Sequence, residues 1–172
     1  MKATVSQELL SAGLRRVLNI VSTRTTLPAL NNVLVECEEG SIVLTTTDLE
    51  VCIRTTLEAN VSETGATTLP AKKFAQIIGS LPAGEICLET DDNQLTAISC
   101  LKSFFRIVGL ADKEFPRDSE FSEEWGFTLP ADEFKKSLAK VSYASSTDET
   151  RHVLNGILLS LRSGVLTMAA TD

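Results

Sequence analysis

The chain has 172 residues, of which 43% are hydrophobic and 23% charged, a composition typical of a soluble protein long enough to build a sizeable core. It contains no run of 18 apolar residues and no long apolar segment at its start, so we expect neither a membrane span nor a secretory signal. Taken over the whole chain, the net charge of −7 argues against binding to nucleic acid. The basic residues are unevenly distributed, however, so this total does not exclude a basic surface.

The first 65 residues predict a strand, a helix and three further strands. A short strand around Val5 runs into a helix over Gln7–Asn19, for which Ser6 stands in the N-cap position. The apolar stripe of this helix is formed by Leu10, Gly13, Leu14, Val17 and Val21. Three strands are then predicted over Asn32–Glu38, Ser41–Thr47 and Val51–Ala59. Turns separate these strands, and the first turn is Glu39-Gly40.

Residues 66–110 predict the same order of elements. Ala66–Leu69 is β-prone, and Pro70 stands where a helix would begin, because its fixed φ suits the first helical turn. The helix over Ala71–Ser80 carries one apolar stripe, formed by Phe74, Ile77, Ile78 and Leu81. Three strands are then predicted over Glu85–Thr90, Gln94–Cys100 and Phe104–Leu110.

The last third of the chain predicts a linker and an incomplete third set of elements. Residues 111–126 are acidic and lack periodicity, which is typical of a linker between domains. A helix over Ala131–Val141 follows, and strands are predicted over Gly156–Arg162 and Val165–Ala170. A third strand is absent, so we expect residues 127–172 to form half of a second domain that is less stable than the first and cannot act alone.

Internal repeats support this division. Leu30–Leu34 returns as Leu154–Leu158 at an offset of 124 residues, and Thr68–Ala71 returns as Thr128–Ala131 at an offset of 60. Such duplication means that one supersecondary unit is used several times. We therefore predict α+β domains of repeated βαβββ units, two per domain, with antiparallel sheets on one side and helices on the other. The first domain is residues 1–110.

Charge is partitioned between the helices and the rest of the chain. The three predicted helices hold seven basic residues against three acidic ones, whereas the remainder holds nine basic against twenty acidic. The basic residues lie mostly off the apolar stripes, as a surface that meets a polyanion requires. Aromatic residues are only 5%, so stacking on single strands is not expected, and the pattern favours contact with a duplex backbone without reading of bases.

Neither a metal site nor a catalytic motif is expected. The four cysteines are widely spaced and His152 is the only histidine, so metal-ligand spacing is absent and the thiols are expected to be reduced in a cytoplasmic protein without cofactors. Phosphate-binding, nucleophile-elbow and zinc-hydrolase motifs are also missing.

The sequence resembles the bacterial DNA polymerase III beta subunits, the sliding clamps. The resemblance runs from Met1 to Asp172, corresponds to the first domain and half of the second in a three-domain family, and rests on Arg24–Leu34, Thr47–Glu50, Gly65–Phe74, Glu114–Pro116, Arg151–Gly156 and Ala170–Asp172. It implies a non-catalytic homodimeric ring around duplex DNA, lined by helices, that tethers polymerase. The implied partners of its peptide-binding pocket are the polymerase III alpha subunit and the clamp loader delta subunit.

Site residues follow from the resemblance at matching positions. Arg24 matches a family position that touches DNA, and Lys72 and Lys73 match the basic start of a helix that lines the ring. From the charge partition, the other predicted DNA-binding residues are Arg15, Arg16, Lys135 and Lys136. Leu154 and Thr171 match walls of the peptide pocket and Arg151 its flank, while Phe105 and Ile107 match apolar positions of the dimer interface.

The loop before Leu154 departs from the family pattern. His152 and Val153 stand where tyrosines near DNA are often found, and Asp148 stands where an uncharged polar residue is common. DNA contact by this loop therefore does not follow from the resemblance. An alternative stays open, namely an α+β enzyme domain of small-molecule metabolism, which would show a deep pocket with converging titratable groups rather than aligned basic helices.

Overall fold

The computed structural model describes residues 1–21, 27–117, 126–148 and 150–172. The chain divides into an N-terminal lobe, Met1–Ser119, and a C-terminal lobe, Glu120–Asp172. The elements of the N-terminal lobe are β1 Lys2–Ser6, α1 Gln7–Val17, β2 Asn32–Glu38, β3 Ser41–Thr47, β4 Cys52–Glu58, β5 Asn60–Glu63, β6 Gly65–Pro70, α2 Ala71–Ser80, β7 Glu85–Thr90, β8 Leu95–Cys100 and β9 Ser103–Val108. Those of the C-terminal lobe are α3 Ala131–Val141, β10 Leu158–Arg162 and β11 Val165–Ala169.

The N-terminal lobe contains two antiparallel sheets that interlock the first two repeats. Their strand orders are β5-β1-β7-β8-β9 and β4-β3-β2-β6. The opening strand of each repeat pairs with the other repeat: β1 pairs with β7, where Val5 faces Ile86, and β6 pairs with β2, where Leu69 faces Val33. Neither repeat therefore completes its sheet alone. This architecture confirms the α+β class predicted from the sequence.

Both helices of this lobe bury the predicted stripe against the sheets. Leu10, Leu14 and Val17 of α1 are fully buried, and α2 buries Phe74 and Ile78. Helix α1 begins at the predicted N-cap, where the Ser6 hydroxyl accepts a hydrogen bond from the backbone N of Leu9 at 3.2 Å. Residues of β1–β4 and β6–β9 complete one continuous core. The apolar periodicity thus determines which faces of the helices are solvent-exposed.

The start of the predicted linker packs on the N-terminal lobe. Phe115 is buried, and the Arg117 guanidinium lies 3.1 Å from the Asp112 carboxylate and 3.3 Å from that of Glu36 on β2. Residues 118–125 of the predicted linker lie outside the described residues. The chain thus leaves β9 along the surface of the lobe at least as far as Arg117.

The structure differs from the sequence prediction at several boundaries. Helix α1 ends at Val17 and continues as a 3-10 turn over Leu18–Ile20. The chain after β4 forms an additional strand, β5, which pairs with β1. Among the described residues 126–130 there is no strand, although the repeat predicts one before α3. By the pairing rule of the first two repeats, that strand needs a partner from another repeat, which these 172 residues do not include.

The C-terminal lobe is a β10–β11 hairpin that contacts helix α3. Phe134, Leu138 and Val141 of α3 are only half-buried, and no residue is buried among the described residues 126–148 and 150–172. In the N-terminal lobe the equivalent Phe74 is completely buried. The third repeat thus has the local structure of the first two without their core.

Candidate nucleic-acid interface and apolar pocket

The exposed side of α1 is basic at its C-terminal end. Arg15 and Arg16 lie in the last turn and are exposed, while Leu14 and Val17 on either side of them are buried. The Nε of Arg15 donates to the Ser11 carbonyl at 3.4 Å, so this side chain lies back along the helix. Cations near a helix C-terminus are also favoured by the helix dipole.

Helix α2 presents a second basic pair beside α1. Lys72 and Lys73 are exposed in the first turn, between the buried residues Ala71 and Phe74. The two helices are neighbours, since the Gln7 side chain at the start of α1 donates to the Ile78 carbonyl of α2 at 3.0 Å. No acidic residue occurs in the first turn of α2. The structure therefore exposes four of the predicted cations on two adjacent helices.

Helix α3 of the C-terminal lobe exposes Lys135 and Lys136 in the same way, next to the half-buried Phe134. Its first turn also carries Asp132 and Glu133, which partly offset the positive charge. The remaining predicted cation, Arg24, lies outside the described residues.

The described residues contain neither a group of metal ligands nor a membrane-spanning helix. Within the described part of the chain, no three His, Cys, Asp or Glu side chains are grouped so that they could hold a metal ion. None of the described helices is long and apolar enough to cross a membrane. Cys37, Cys87 and Cys100 are free thiols, and burial raises the pKa of Cys37 to about 11, which keeps that thiol protonated.

An apolar cavity of about 440 Å³ lies in the C-terminal lobe. It is lined by Val153, Leu154, Gly156, Ile157, Leu158, Ala169, Ala170 and Thr171, which include two of the predicted pocket residues. The third, Arg151, lines an adjoining cavity of about 420 Å³ together with Thr150, His152, Val153 and Leu154. Leu154 is thus a wall common to both cavities, and the structure brings all three predicted pocket residues to one place.

Sequence reasoning missed the small residues that open this cavity. At the repeat offset, Gly156, Ala169 and Ala170 correspond to Asn32, Thr45 and Thr46. In the N-terminal lobe the Thr46 hydroxyl donates to the Val17 carbonyl at 2.6 Å. The Asn32 amide donates to the Thr68 hydroxyl at 3.0 Å, and both Asn32 and Thr46 are buried. A comparison of side-chain size between the repeats could have singled out these three positions.

Strand β9, at one edge of its sheet, carries the two residues predicted at a subunit interface. Ile107 is 8% exposed and belongs to the core, and Phe105 is half-buried and packs against that core. The opposite face of the strand carries Phe104, which is 57% exposed, and Arg106, whose guanidinium lies 5.2 Å from the Phe104 ring centroid. The predicted pair thus occupies the inner face of an edge strand.

Comparisons with known proteins agree on one family. The family model described as DNA polymerase III beta subunit, N-terminal domain, matches residues 1–119 of this chain. The beta sliding clamp of Chlamydia muridarum is 33% identical over 172 residues, which is 100% of this chain and 47% of that protein.

Solved structures give the same result. The DNA polymerase III subunit beta of Pseudomonas aeruginosa matches with a TM-score of 0.94 and 32% identity, over 100% of this chain and 47% of that one. The sliding clamp of Bartonella birtlesii bound to griselimycin matches with a TM-score of 0.93 and 34% identity, over the same shares. The chain therefore spans about half the length of the relatives it matches.

Proposed function

Because this chain belongs to the DNA polymerase III beta subunit family, we propose that the whole protein is a sliding clamp, a non-catalytic ring that encloses duplex DNA and tethers the replicative polymerase. The observation that carries this proposal is the exposed basic surface of the helices in an otherwise acidic chain. Uniform attraction to phosphates holds a duplex without fixing its position, so the duplex can slide.

In this proposal the helices face the DNA. Arg15 and Arg16 of α1 and Lys72 and Lys73 of α2 contact phosphates from the N-terminal lobe, and Lys135 and Lys136 of α3 do so from the C-terminal lobe. Arg24 adds a further cation to this set. Lysine and arginine contacts of this kind release counterions and depend on salt rather than on base sequence.

The apolar cavity is proposed as the docking site for partner peptides. Leu154 and Thr171 line it, and Arg151 borders it through the adjoining cavity. We propose that short apolar segments of the polymerase III alpha subunit and of the clamp loader delta subunit bind there. A concave, mostly apolar site with a few polar groups suits such a ligand.

The ring requires a subunit contact, which we assign to the edge strand β9. Phe105, which is still partly accessible on the inner face, would contribute apolar area, while the buried Ile107 would support it from within the core. Closed homo-oligomers bury such apolar patches between copies. We also propose that the ring operates in the cytoplasm, where the chromosome of a bacterium lies.

Enclosure of the duplex by a ring is tested by comparing how well the protein is retained on circular and on linear DNA. The full-length protein, loaded by its clamp loader onto a nicked circular duplex, should co-elute with the DNA in gel filtration at a salt concentration that abolishes simple electrostatic binding. Linearising the circle should release it, because only an enclosed ring depends on the absence of ends. Equal retention on circular and linear DNA would contradict the proposal.

A further inference from the structure

The loop that borders the apolar cavity, described at residues 146–148 and 150–155, is closed by its own hydrogen bonds. The backbone N of Ser146 donates to the Leu154 carbonyl at 2.9 Å, and the backbone N of Arg151 donates to the Asp148 carbonyl at 3.1 Å. With its amide nitrogen turned toward them, Asn155 also donates to the Ser146 and Asp148 carbonyls, at 3.0 and 3.1 Å. The described residues of the loop therefore present their side chains from a hydrogen-bonded backbone.

Asp148 is the polar centre of this loop. Its Oδ1 accepts from the Thr150 hydroxyl at 2.7 Å and from the Thr150 backbone N at 2.9 Å, and its Oδ2 accepts from Nε of Arg151 at 3.1 Å. The Thr150 hydroxyl, the Thr150 backbone N–H and the Arg151 guanidinium hold the pKa of this carboxyl below its ordinary value. Asp148 is therefore an anion at neutral pH, directly beside the cation of the cavity wall.

The ion pair leaves most of Arg151 accessible. The Arg151 side chain is 56% exposed, and its Nε is the atom engaged by Asp148. A guanidinium has further N–H donors on its terminal nitrogens, which can still reach a ligand. Arg151 itself lines the cavity formed by Thr150–Leu154, which shares Val153 and Leu154 with the apolar cavity. A peptide in the apolar cavity that extends past Leu154 meets an arginine whose charge is already paired.

We propose that Asp148 is a positioning and specificity residue: it holds Arg151 through Nε and balances its charge, so that the site accepts peptides with neutral flanks as well as peptides with acidic flanks. This inference rests on the proposed binding of peptides in the apolar cavity. An unpaired arginine would attract carboxylates next to the apolar anchor and bias the site toward acidic partners. A neighbouring carboxylate competes for the guanidinium and reduces that bias.

The test compares two fluorescent peptides with the same apolar core, one flanked by serines and one by aspartates, against the full-length dimer. Asp148→Asn retains an oxygen that can accept from Thr150 but removes the charge beside Arg151. Asp132→Asn on helix α3 is the matched control, because it removes one exposed negative charge outside the loop. The affinity ratio of acidic to neutral peptide should rise about two- to fivefold at low salt in Asp148→Asn, the range expected of an exposed charge pair, and should fall back at high salt.

A second pair of variants keeps the inference falsifiable if the loop changes shape. Arg151→Gln should lower the preference for the acidic peptide, and in the double variant Asp148→Asn, Arg151→Gln the effect of the Asn substitution on the ratio should disappear. A ratio that changes equally in Asp148→Asn and Asp132→Asn, or a change that persists without Arg151, would overturn the role of Asp148. Failure of the unaltered protein to bind either peptide would instead refute peptide binding in the cavity.

Discussion

Thr68 and Leu110 exchange two backbone hydrogen bonds, with N–O distances of 3.0 and 3.1 Å, and thereby join the two sheets of the N-terminal lobe. The Thr68 hydroxyl also donates to the Leu110 carbonyl at 3.1 Å and accepts from the Asn32 amide. Thr68 lies on β6 of one sheet, and Leu110 follows β9 of the other. This junction closes the lobe at one side, because β6 and β9 are otherwise edge strands.

Gly109 permits the close approach at this junction, so Gly109→Ala should destabilise the lobe. A Cβ at this position would collide with the Thr68 carbonyl oxygen and would lie 3.0 Å from the Thr67 hydroxyl oxygen. Because backbone atoms would have to move, we expect a loss of about 2–3 kcal/mol in the free energy of unfolding, measured by urea denaturation.

The matched control is Gly79→Ala near the end of α2, where an added Cβ meets no atom within 4 Å. In a helix, Ala is favoured over Gly by roughly 0.5–1 kcal/mol, so this variant should be as stable as the unaltered protein or more stable. Equal stability of the two variants would show that the junction adapts without cost.

The helices and most strands of this fold could be predicted from the sequence because their apolar periodicity is local. The stripes of α1 and α2 are the ones that the core buries. Strand β5 was missed because Asn60–Glu63 is short and polar, and it exists through pairing with β1 rather than through its own pattern. Residues 126–130 show the opposite case: a strand was predicted there, but the first strand of each repeat pairs with another repeat, and no such partner is present for the third repeat among the described residues.

The site could be predicted to a similar extent. The exposed cations followed from a comparison of helices with the rest of the chain, and the residues Leu154 and Thr171 followed from family resemblance. The interaction of Asp148 with Arg151 could not be predicted, because the intervening turn determines whether the two side chains meet. The volume of the cavity depends on how its eight lining residues pack, among them Gly156 and Ala170, and the sequence does not show this packing.

Charge reversal on α2 should weaken DNA binding without changing its lack of sequence preference. Lys72→Glu and Lys73→Glu replace two exposed cations, so the full-length protein should bind every duplex more weakly. The slope of log K against log salt should decrease by about 0.9 for each phosphate that the variant no longer neutralises. Fluorescence anisotropy with unrelated duplexes at several salt concentrations measures both quantities.

Lys102→Glu is the matched control, because Lys102 is exposed in the turn between β8 and β9 rather than on a helix. It should leave the salt slope almost unchanged. If Lys102→Glu reduced binding as much as the α2 variants do, net charge rather than the helix surface would account for the affinity.

Truncation of Phe105 should weaken the proposed subunit contact. Phe105 lies on the inner face of edge strand β9 and remains partly accessible, so Phe105→Ala removes apolar area that a partner subunit can cover. We expect the dimer dissociation constant of the full-length protein to rise by about tenfold or more, equivalent to about 1.4 kcal/mol or more. Sedimentation velocity over a dilution series measures this constant.

Phe104→Ala provides the comparison, since Phe104 has the same size and is 57% exposed on the opposite face of the same strand. That variant should remain as dimeric as the unaltered protein. A stronger loss of dimer in Phe104→Ala than in Phe105→Ala would assign the interface to the other face of β9.

The equivalent residues Phe74 and Phe134 should differ in their contribution to the stability of the 172-residue chain. Phe74 is fully buried in the core, so Phe74→Ala should reduce the free energy of unfolding of the N-terminal lobe by about 3–5 kcal/mol. Phe134 is half-buried, and none of the described residues of its lobe is buried, so Phe134→Ala should lower the free energy of unfolding by about 1 kcal/mol or less.

Hydrogen exchange measures the same contrast between the two lobes in the unaltered chain, because amides open with free energies that depend on the local core. Amides of β10 and β11 should exchange at least about a hundredfold faster than those of β2 and β3, for which β6 and β4 complete the sheet. Equal protection of the two pairs of strands in a monomeric sample would mean that the third repeat is stabilised without a partner repeat.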